Sequence, residues 1–374
     1  MSYHHVLSRR RFTIAALASI AAPAVVRAAP RVAVTDVLDR RVTVSRDVAR
    51  IVLGFYFEDY LAVGGPGAHE RLVGISRGAW EGWRNSQWKA YLSALPGLSD
   101  IADVGEVDAG TFSVEKVLSL DPDLVILAEW QYRGLGSAVA QLEAAGVPVV
   151  VLDYNTQSVE RHVISTRLLG ELLGRPERAA RLADTYATAV EEVVRRVAAA
   201  GGERPAVYVE LGNKGAGEVG NSYGDVMWGR LIELAGGANI ARGRVSRWGP
   251  LNPEYVLAAD PEAVFIAGSY WTNRDRAVLM GFGVDPEITR RRLAPYLERP
   301  GWQRLRAVRE RRIHALYHGG ARTLHDYAYL QYIAKVLYPE AFRDEDPLRT
   351  LQAHYENYLP IRAEGAFMVS YFGA

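Results

Sequence analysis

The sequence predicts an α/β protein of two Rossmann-like lobes with parallel sheets, joined by one long connecting helix, with a ligand cleft between the lobes. Three features lead to this prediction: an internal repeat, strands that alternate with helices around each copy, and a long helical stretch between the copies. The chain has 374 residues, of which 49% are hydrophobic. That length is sufficient for two lobes with buried cores.

Charge and cysteine content narrow the range of functions. Lysine and arginine number 44, aspartate and glutamate 43, so the formal net charge is +1. Because nucleic-acid-binding domains carry a strong basic excess, we expect no nucleic-acid partner. The chain contains no cysteine, which excludes disulfides, thiolate metal sites and cysteine nucleophiles.

Residues 1–29 have the features of an export signal. Ser8-Arg9-Arg10-Arg11-Phe12 precedes an apolar run over residues 14–26, and Ala28 supplies a small residue at a cleavage point. This order is typical of a secretory signal, and the Ser-Arg-Arg-x-Phe start resembles the twin-arginine type. The run is too short to span a bilayer, which needs about 20 residues. We expect cleavage near Ala28 and a periplasmic mature protein; a basic tail beside a buried helix is the alternative.

An internal repeat links residues 113–126 to residues 252–265, which align without gaps and share six identities in the same order. Each copy begins with an N-cap residue, Ser113 or Asn252, followed by a glutamate that suits the positive end of a helix dipole. Each then reaches Asp-Pro, where proline ends the helix, and enters an apolar run typical of a buried strand. Coincidence between short helix–strand units is the alternative, but the ordered identities favour duplication of a lobe.

Strands and helices alternate around both copies of the repeat, which predicts parallel sheets covered on both faces. Helices are predicted over residues 137–145, 224–235 and 323–337, with a long helical stretch over 159–199 whose clearest part is 178–199. The domains are therefore a signal over 1–29, an N-terminal lobe over 30–157, a connecting helix over 158–200 and a C-terminal lobe over 201–374. The predicted strands cover residues 50–54, 72–76, 124–128, 147–153, 206–211, 263–267 and 312–317.

These features resemble the helical-backbone class of substrate-binding proteins of ABC importers, and within it the iron-siderophore and corrinoid branch. The similarity covers nearly all of the chain after residue 30. It is most specific in segments 113–127, 231–241 and 327–340 and in Glu254 with Asp260-Pro261. The resemblance implies a monomeric periplasmic protein without an intrinsic cofactor. It would capture a metal chelate, foremost a ferric siderophore, and deliver it to an inner-membrane ABC permease. Corrinoid, heme and an oxyanion such as molybdate or tungstate are the alternative ligands.

The resemblance also implies that one glutamate on each lobe docks onto arginines of the permease. Glu115 and Glu254 occupy the matching positions. The repeat independently predicts that two carboxylates lie at equivalent places on the two lobes, as a symmetric partner requires. The alternative role is local: an acid in the first turn stabilises a helix by roughly 0.3–1 kcal/mol.

Aromatic and arginine side chains follow the predicted strands, where ligands bind in open α/β sheets. Aromatic rings flanked by arginines suit a flat or bulky anionic ligand, because the rings pack against its body and the guanidinium groups pair with its charges. Core packing is the alternative for each residue. Trp88, Trp228 and Trp302 lie in helical stretches and are predicted to be core. The predicted wall of the cleft consists of Tyr56, Trp80, Arg84, Trp130, Arg133, Trp248, Tyr270 and Trp271.

The late segment 314–322 supplies further candidates. His318 and Arg322 follow a strand and are predicted to bind the ligand, whereas His314 lies within the strand and is expected in the core. His325 and Asp326 are expected to start the next helix. No histidine pair has a tight metal-ligand spacing with a third strong ligand, so a direct transition-metal site is disfavoured and the metal ligands stay undetermined.

Catalysis is the competing class of function. Residues 215–220 match Gly-x-Gly-x-x-Gly after a strand, but a dinucleotide site needs a helix to open at once and an acid about 20 residues later, and neither is predicted. A flexible cleft loop fits better. The zinc-protease and phosphate-loop motifs are missing from the sequence. We therefore expect a binding protein rather than an exported hydrolase or oxidoreductase.

Overall fold

Two five-stranded sheets, one in each half of the chain, form the centres of two lobes. The structure is a computed structural model that describes residues 1–2 and 31–373. The predicted export signal lies outside the described residues except for Met1 and Ser2. The strands are β1 (Arg31–Thr35), β2 (Arg41–Ser45), β3 (Ile51–Leu53), β4 (Leu72–Ile75), β5 (Ala102–Asp103), β6 (Leu124–Ala128), β7 (Val149–Leu152), β8 (Ala206–Leu211), β9 (Asn221–Tyr223), β10 (Ala238–Asn239), β11 (Trp248–Pro250), β12 (Ala263–Gly268), β13 (Gly281–Phe282), β14 (Ile313–Tyr317), β15 (Gly365–Ala366) and β16 (Met368–Ser370).

Helices cover the sheets and connect the lobes. Their buried faces are apolar, as expected for helices that pack against a sheet. In the described part of the chain they are α1 (Phe57–Gly64), α2 (Gly78–Glu81), α3 (Asn85–Ala94), α4 (Val114–Ser119), α5 (Glu129–Leu135), α6 (Ser137–Ala144), α7 (Val159–Leu173), α8 (Pro176–Ala200), α9 (Trp228–Leu234), α10 (Pro253–Ala259), α11 (Pro286–Leu297), α12 (Arg306–Arg309), α13 (Asp326–Leu337) and α14 (Pro347–Tyr358).

The two sheets are both mainly parallel but differ in strand order. The first has the order β5-β4-β3-β6-β7 and is parallel throughout, and the second has the order β10-β8-β12-β14-β16 with only β16 antiparallel. In each lobe the strand of the repeat, β6 or β12, lies beside the first strand of the five-stranded sheet, β3 or β8. Both repeat strands are buried along their whole length, as parallel strands covered on two faces must be. The predicted fold class is confirmed.

The helix of each repeat copy begins and ends where the sequence predicts. Ser113 Oγ accepts a hydrogen bond from Lys116 N at 3.1 Å, and Asn252 Oδ1 accepts one from Glu254 N at 2.7 Å. Each side chain thus satisfies a backbone donor at a helix N-terminus. At the other end, Asp121 and Asp260 have φ of 46° and 41°, so the aspartate before each proline turns the chain into the left-handed region.

Other local features differ from the sequence prediction. A loop was predicted after β3, but α1 begins at Phe57, directly after Tyr56, whose φ of 60° turns the chain sharply. Helix α9 begins at Trp228 rather than at residue 224, because β9 pairs with β11 and Gly224 N donates to Arg247 O. Helix α13 likewise begins at Asp326 rather than at residue 323. The β1–β2 hairpin was not predicted.

The connector between the lobes consists of two helices rather than one uninterrupted helix. Gly174 ends α7 with φ of 68°, and Pro176 occupies the first turn of α8, where its missing N–H costs nothing. Helix α8 runs for 25 residues and packs against α1 of the first lobe and against α9 and α13 of the second. Its buried residues recur at helical spacing along one face: Ala179, Leu182, Ala183, Tyr186, Val190 and Val193.

Direct hydrogen bonds also tie the lobes together beside the cleft. Asn85 N donates to Tyr270 O at 3.2 Å, and Ser269 Oγ donates to Trp83 O at 2.5 Å. A third bond between the lobes runs from Met227 N to Asn155 O at 3.1 Å. These bonds fix the edges of the cleft and set the distance between its two walls.

Candidate functional site

A cavity of about 270 Å³ lies between the lobes. Its lining residues follow strands of both sheets, so the cavity sits at the carboxyl ends of the strands, where ligands bind in open α/β sheets. The first lobe contributes Trp83, Arg84, Asp108, Trp130 and Asn155. The second contributes Leu211, Asn213, Asn221, Tyr223, Met227, Trp248, Ser269, Trp271, Arg274, His318 and Arg322.

Two arginines reach this cavity from opposite lobes. Arg84 precedes α3 and is 4% exposed, and Arg322 follows β14 and is 9% exposed. Their guanidinium carbons lie 5.5 and 4.8 Å from the centre of the Phe55 ring, and that of Arg84 lies 4.9 Å from the Trp80 ring. Aromatic faces attract such cations and offset part of their desolvation cost.

Both arginines lack a directly contacting carboxylate in the described part of the chain. Within the described residues, neither forms an ion pair, and Arg84 Nη2 and Arg322 Nε are buried without a hydrogen-bond partner. Burial and the neighbouring Arg84 charge lower the pKa of Arg322 to about 10, so it stays charged at neutral pH. Two buried positive charges without a counter-ion suit an anionic ligand.

Two acids stand near Arg322. Asp108 lines the cavity, and Glu106 is buried behind it with Oε2 unpaired. Burial, together with the charge of Asp108, raises the pKa of Glu106 to about 7, and burial raises the pKa of Asp108. The number of negative charges at this end of the site therefore changes near neutral pH.

Aromatic rings form the walls. Trp130 packs edge-on against Phe55 with ring centres 5.6 Å apart, and its Nε1 is buried without an acceptor. Trp248 lies on β11 at the mouth of the cavity with 44% of its surface exposed. Trp83, Trp271 and Tyr223 complete the aromatic lining. The site thus offers flat apolar faces and unused N–H donors.

The structure brings six of the ten predicted ligand-binding residues to the cavity: Arg84, Trp130, Trp248, Trp271, His318 and Arg322. Tyr56 and Trp80 lie beneath it, each 2% exposed. The hydroxyl of Tyr56 donates to Asn155 Oδ1 at 3.2 Å, and the Trp80 ring packs against Phe57 because α2 turns it inward.

The other two predicted residues also lie off the cavity surface. Tyr270 borders the cleft and pairs with Arg84 through the backbone. Arg133 lies on α5 with a side chain 65% exposed and forms an ion pair with Glu129 one helical turn before it. The cavity also contains residues that the sequence did not single out, namely Asp108, Asn155, Leu211, Asn221 and Met227.

Histidines of the late segment occupy different environments. His314 is buried in β14, where its Nδ1 lies 2.9 Å from Tyr332 Oη, so its predicted core position is confirmed. His318 lines the cavity, and its Nδ1 lies 3.0 Å from Trp228 Nε1. His325 is buried at the start of α13, next to the ring of His354. The described residues contain no group of three histidine or acidic side chains placed to hold a metal ion.

Glu115 and Glu254 occupy equivalent places on the two lobes. Each is exposed in the first turn of its helix, α4 or α10. Across the described part of the chain, neither forms an ion pair. Their carboxylates are therefore available to a partner.

The glycine-rich segment 215–220 is a loop between β8 and β9, and the next helix, α9, begins only at Trp228. It lacks the strand–turn–helix geometry that a dinucleotide site requires. Tryptophans 88, 228 and 302 are all buried, as predicted. Within residues 1–2 and 31–373, no helix combines the length and apolar character needed to cross a membrane.

Comparison with known proteins gives a consistent result. A family model described as periplasmic binding protein matches residues 52–317. The crystal structure of a TroA-like periplasmic binding protein, FepB from Veillonella parvula, superposes with a TM-score of 0.84 at 32% identity, covering 90% of this chain and 99% of that one.

Two curated relatives have named ligands. The molybdate-binding protein MolA of Haemophilus influenzae is 22% identical over 348 residues, which are 87% of this chain and 90% of that protein. A vitamin B12-binding protein of Salmonella paratyphi A is 26% identical over 175 residues, which are 43% of this chain and 60% of that protein.

Proposed function

Because this chain belongs to the periplasmic binding protein family, whose members serve ABC importers, we propose that it captures an anionic metal chelate, foremost a ferric siderophore, between its lobes. It then delivers the chelate to an inner-membrane permease. Members of this family carry transported ligands and are not enzymes. The mature protein is proposed to act in the periplasm as a monomer after twin-arginine export and cleavage near Ala28.

The observation that carries this proposal is the pair of unneutralised arginines. Arg84 and Arg322 are buried at the cavity without ion-pair partners among the described residues. A charge that has lost its water and gained no counter-ion is costly. An anionic ligand removes that cost on binding, and the carboxylate or catecholate oxygens of a ferric siderophore supply such charges while its body packs on Trp130, Trp248 and Trp271.

A molybdate-like oxyanion is the second candidate, and two observations favour it. The cavity of about 270 Å³ is below the range of about 300–1,000 Å³ typical of sites for drug-sized ligands. In addition, the MolA relative aligns over 87% of this chain. A siderophore would insert only its anionic part and leave the remainder at the mouth beside Trp248. Corrinoid and heme, being larger still, are less well accommodated.

The proposed ligand contacts are the six predicted residues at the cavity. Tyr56, Trp80 and Tyr270 are proposed to support them from beneath and from the edge of the cleft. Arg133 would reach a ligand only after release from Glu129. Glu115 and Glu254 are proposed to dock onto the permease, one from each lobe.

A tryptophan-fluorescence titration of residues 29–374 tests the proposal. The panel consists of a ferric tricatecholate, its metal-free form, ferric citrate, cobalamin, heme, sodium molybdate and ferric chloride. Four tryptophans line the cavity, so occupancy should change the emission. Saturable quenching by a ferric chelate at sub-micromolar concentration, without quenching by the metal-free form, is the expected result.

Other outcomes lead to different conclusions. A response to molybdate alone replaces the chelate with the oxyanion. A response to ferric chloride alone indicates direct metal binding. If none of the compounds changes the fluorescence, the proposal that the protein binds a ligand of these classes is contradicted. Arg195→Gln, which alters a surface ion pair with Glu192 on α8, serves as the matched control.

A further inference from the structure

His318 is held by Trp228 in a way that determines which of its nitrogens carries the proton. Trp228 Nε1 lies 3.0 Å from His318 Nδ1. An indole N–H donates and never accepts, so Nδ1 must be the unprotonated nitrogen. In a neutral imidazole the proton then resides on Nε2.

Two further features keep this arrangement fixed. Trp228 is fully buried and packs edge-on against Tyr329 of α13, with ring centres 5.7 Å apart. Burial, followed by the positive charges of Arg322 and Arg84, lowers the pKa of His318 well below its ordinary value. The ring therefore stays neutral, and a single tautomer is favoured.

The second nitrogen is available at the cavity. His318 belongs to the cavity lining. In the described part of the chain, Nε2 has no hydrogen-bond partner, and it is not among the atoms sealed from solvent. The Nε2–H group is a donor waiting for an acceptor.

We propose that His318 gives the ligand a neutral hydrogen bond from Nε2–H, and that Trp228 is the positioning residue that sets this tautomer. Metal coordination through Nε2 would require the proton to move to Nδ1, where it would face the indole N–H. A ligand that presents a hydrogen-bond donor to Nε2 would also require the proton to move to Nδ1, where it would face the indole N–H. The pair therefore selects ligands with oxygen acceptors and excludes direct metal coordination by His318. This inference rests on the proposed function, which it deepens.

The tautomer is measurable without any ligand. In ¹⁵N-labelled protein, long-range ¹H–¹⁵N correlation distinguishes a protonated from an unprotonated ring nitrogen, and loss of the signals in His318→Gln assigns them. We expect a protonated Nε2 and an unprotonated Nδ1 between pH 6 and pH 8. Trp228→Phe should give a mixture of tautomers. A protonated Nδ1 in the wild-type protein overturns the proposal, whatever the protein transports.

Affinity tests the donor role. The side-chain amide nitrogen of glutamine reaches approximately the place of Nε2, whereas that of asparagine reaches approximately the place of Nδ1. With sodium molybdate and a ferric tricatecholate as probes, His318→Gln should retain affinity within about threefold. His318→Asn and His318→Ala should lose about tenfold or more, as expected for a hydrogen bond to a charged group.

Trp228 should act only through His318. Trp228→Phe should weaken binding in the wild-type background and have little further effect in His318→Ala. A loss in His318→Gln equal to that in His318→Ala, with a change in the iron absorption band, indicates metal coordination and overturns the proposal. If neither probe binds the wild-type protein, the proposed donor role fails together with the proposed function. The tautomer of His318 is measured without ligand, so that result does not depend on the proposed function.

Discussion

Arg84 and Arg322 are the residues on which the proposed site depends, since each places a buried charge at the cavity without a direct ion-pair partner among the described residues. Phe55 lies within cation–π distance of both guanidinium groups and Trp80 within that of Arg84. Such contacts contribute about 0.5–2 kcal/mol each, less than the several kcal/mol lost on burying an ion. A bound anion removes the remaining desolvation cost. Replacing either arginine should therefore lower the affinity for an anionic ligand without lowering the stability of the ligand-free protein.

Arg84→Gln and Arg322→Gln test this opposition. Each should reduce affinity for the anionic probe by about tenfold to a hundredfold, since a charged hydrogen bond is worth about 1.5–3 kcal/mol. Each should leave the thermal midpoint of the ligand-free protein unchanged or higher, because a buried unpaired charge is removed. Fluorescence titration and thermal melting measure the two effects, with Arg195→Gln as the control. Lower stability at unchanged affinity would show that the arginines serve the fold.

Glu106 makes a pH dependence testable. Its pKa is raised to about 7, chiefly by burial, so it is neutral below that pH and negative above it. A negative charge near Arg322 and Asp108 opposes an anion, so affinity for molybdate should fall by about threefold to tenfold between pH 6 and pH 8. Glu106→Gln should flatten the profile, whereas Glu203→Gln, an exposed substitution, should not. A rise in affinity with pH would contradict this assignment.

Sequence alone identified residues that come after fully buried strands. Arg322 and His318 follow β14, and Trp130 follows β6, so the strand-end rule placed them at the cleft. Asp108 escaped prediction because the strand before it, β5, has only two residues and leaves no apolar run to detect. Trp80 also follows a strand, but the short helix α2 turns its ring into the core, and a sequence pattern does not reveal that rotation.

At the scale of elements, the predicted strands are accurate where burial is complete. Strands β6 and β12 are buried at every residue, so their sequences are uninterrupted apolar runs with clear limits. The β1–β2 hairpin instead alternates buried and exposed positions over five residues in each strand. The hairpin lies outside both large sheets, so the alternation of strands with helices that predicted the other strands does not include it.

The connector was predicted as one helix because Gly174 and Pro176 are a small interruption in a long amphipathic pattern. In the structure they allow α7 and α8 to fold back and pack closely. A Cβ added to Gly170 would lie 2.2 Å from Ala179 Cβ and 3.1 Å from Arg175 O. The contact between the two helices therefore depends on a position without a side chain.

Gly170→Ala should destabilise the protein by about 1–3 kcal/mol, the typical cost of overpacking, even though alanine favours helices. Urea unfolding followed by circular dichroism measures the change. Glu171→Ala, one residue further along α7 and exposed, should alter stability by less than about 0.5 kcal/mol. Equal stability of Gly170→Ala and wild type would show that α7 and α8 move apart at little cost to accommodate the added methyl group. The close contact between these two helices would then contribute little to holding α8 against both lobes.

At the scale of the whole molecule, helix packing and hydrogen bonds join the two lobes. Helix α8 packs on elements of both lobes. Buried polar contacts add to this, because Glu58 of α1 accepts hydrogen bonds from Tyr91 Oη at 2.8 Å and from Tyr355 Oη of α14 at 2.6 Å. Because backbone hydrogen bonds also join the lobes, we expect ligand capture to involve modest closure. The proposed permease would then meet a surface whose two halves keep a nearly constant separation.

Glu115 and Glu254 are the residues proposed to make this contact. Reversing both charges, Glu115→Arg with Glu254→Arg, should abolish ligand uptake by cells and leave the affinity of the purified protein unchanged, since neither residue lines the cavity. Each substitution also loses a favourable dipole interaction of roughly 0.3–1 kcal/mol, too little to unfold the protein. Glu160→Arg is the matched control, because Glu160 is likewise an exposed glutamate in the first turn of a helix but lies on the connector. Uptake that survives the double reversal, or falls equally in Glu160→Arg, would remove the two glutamates from the docking surface. Loss of uptake in the double variant alone would identify the face carrying α4 and α10 as the one that meets the permease.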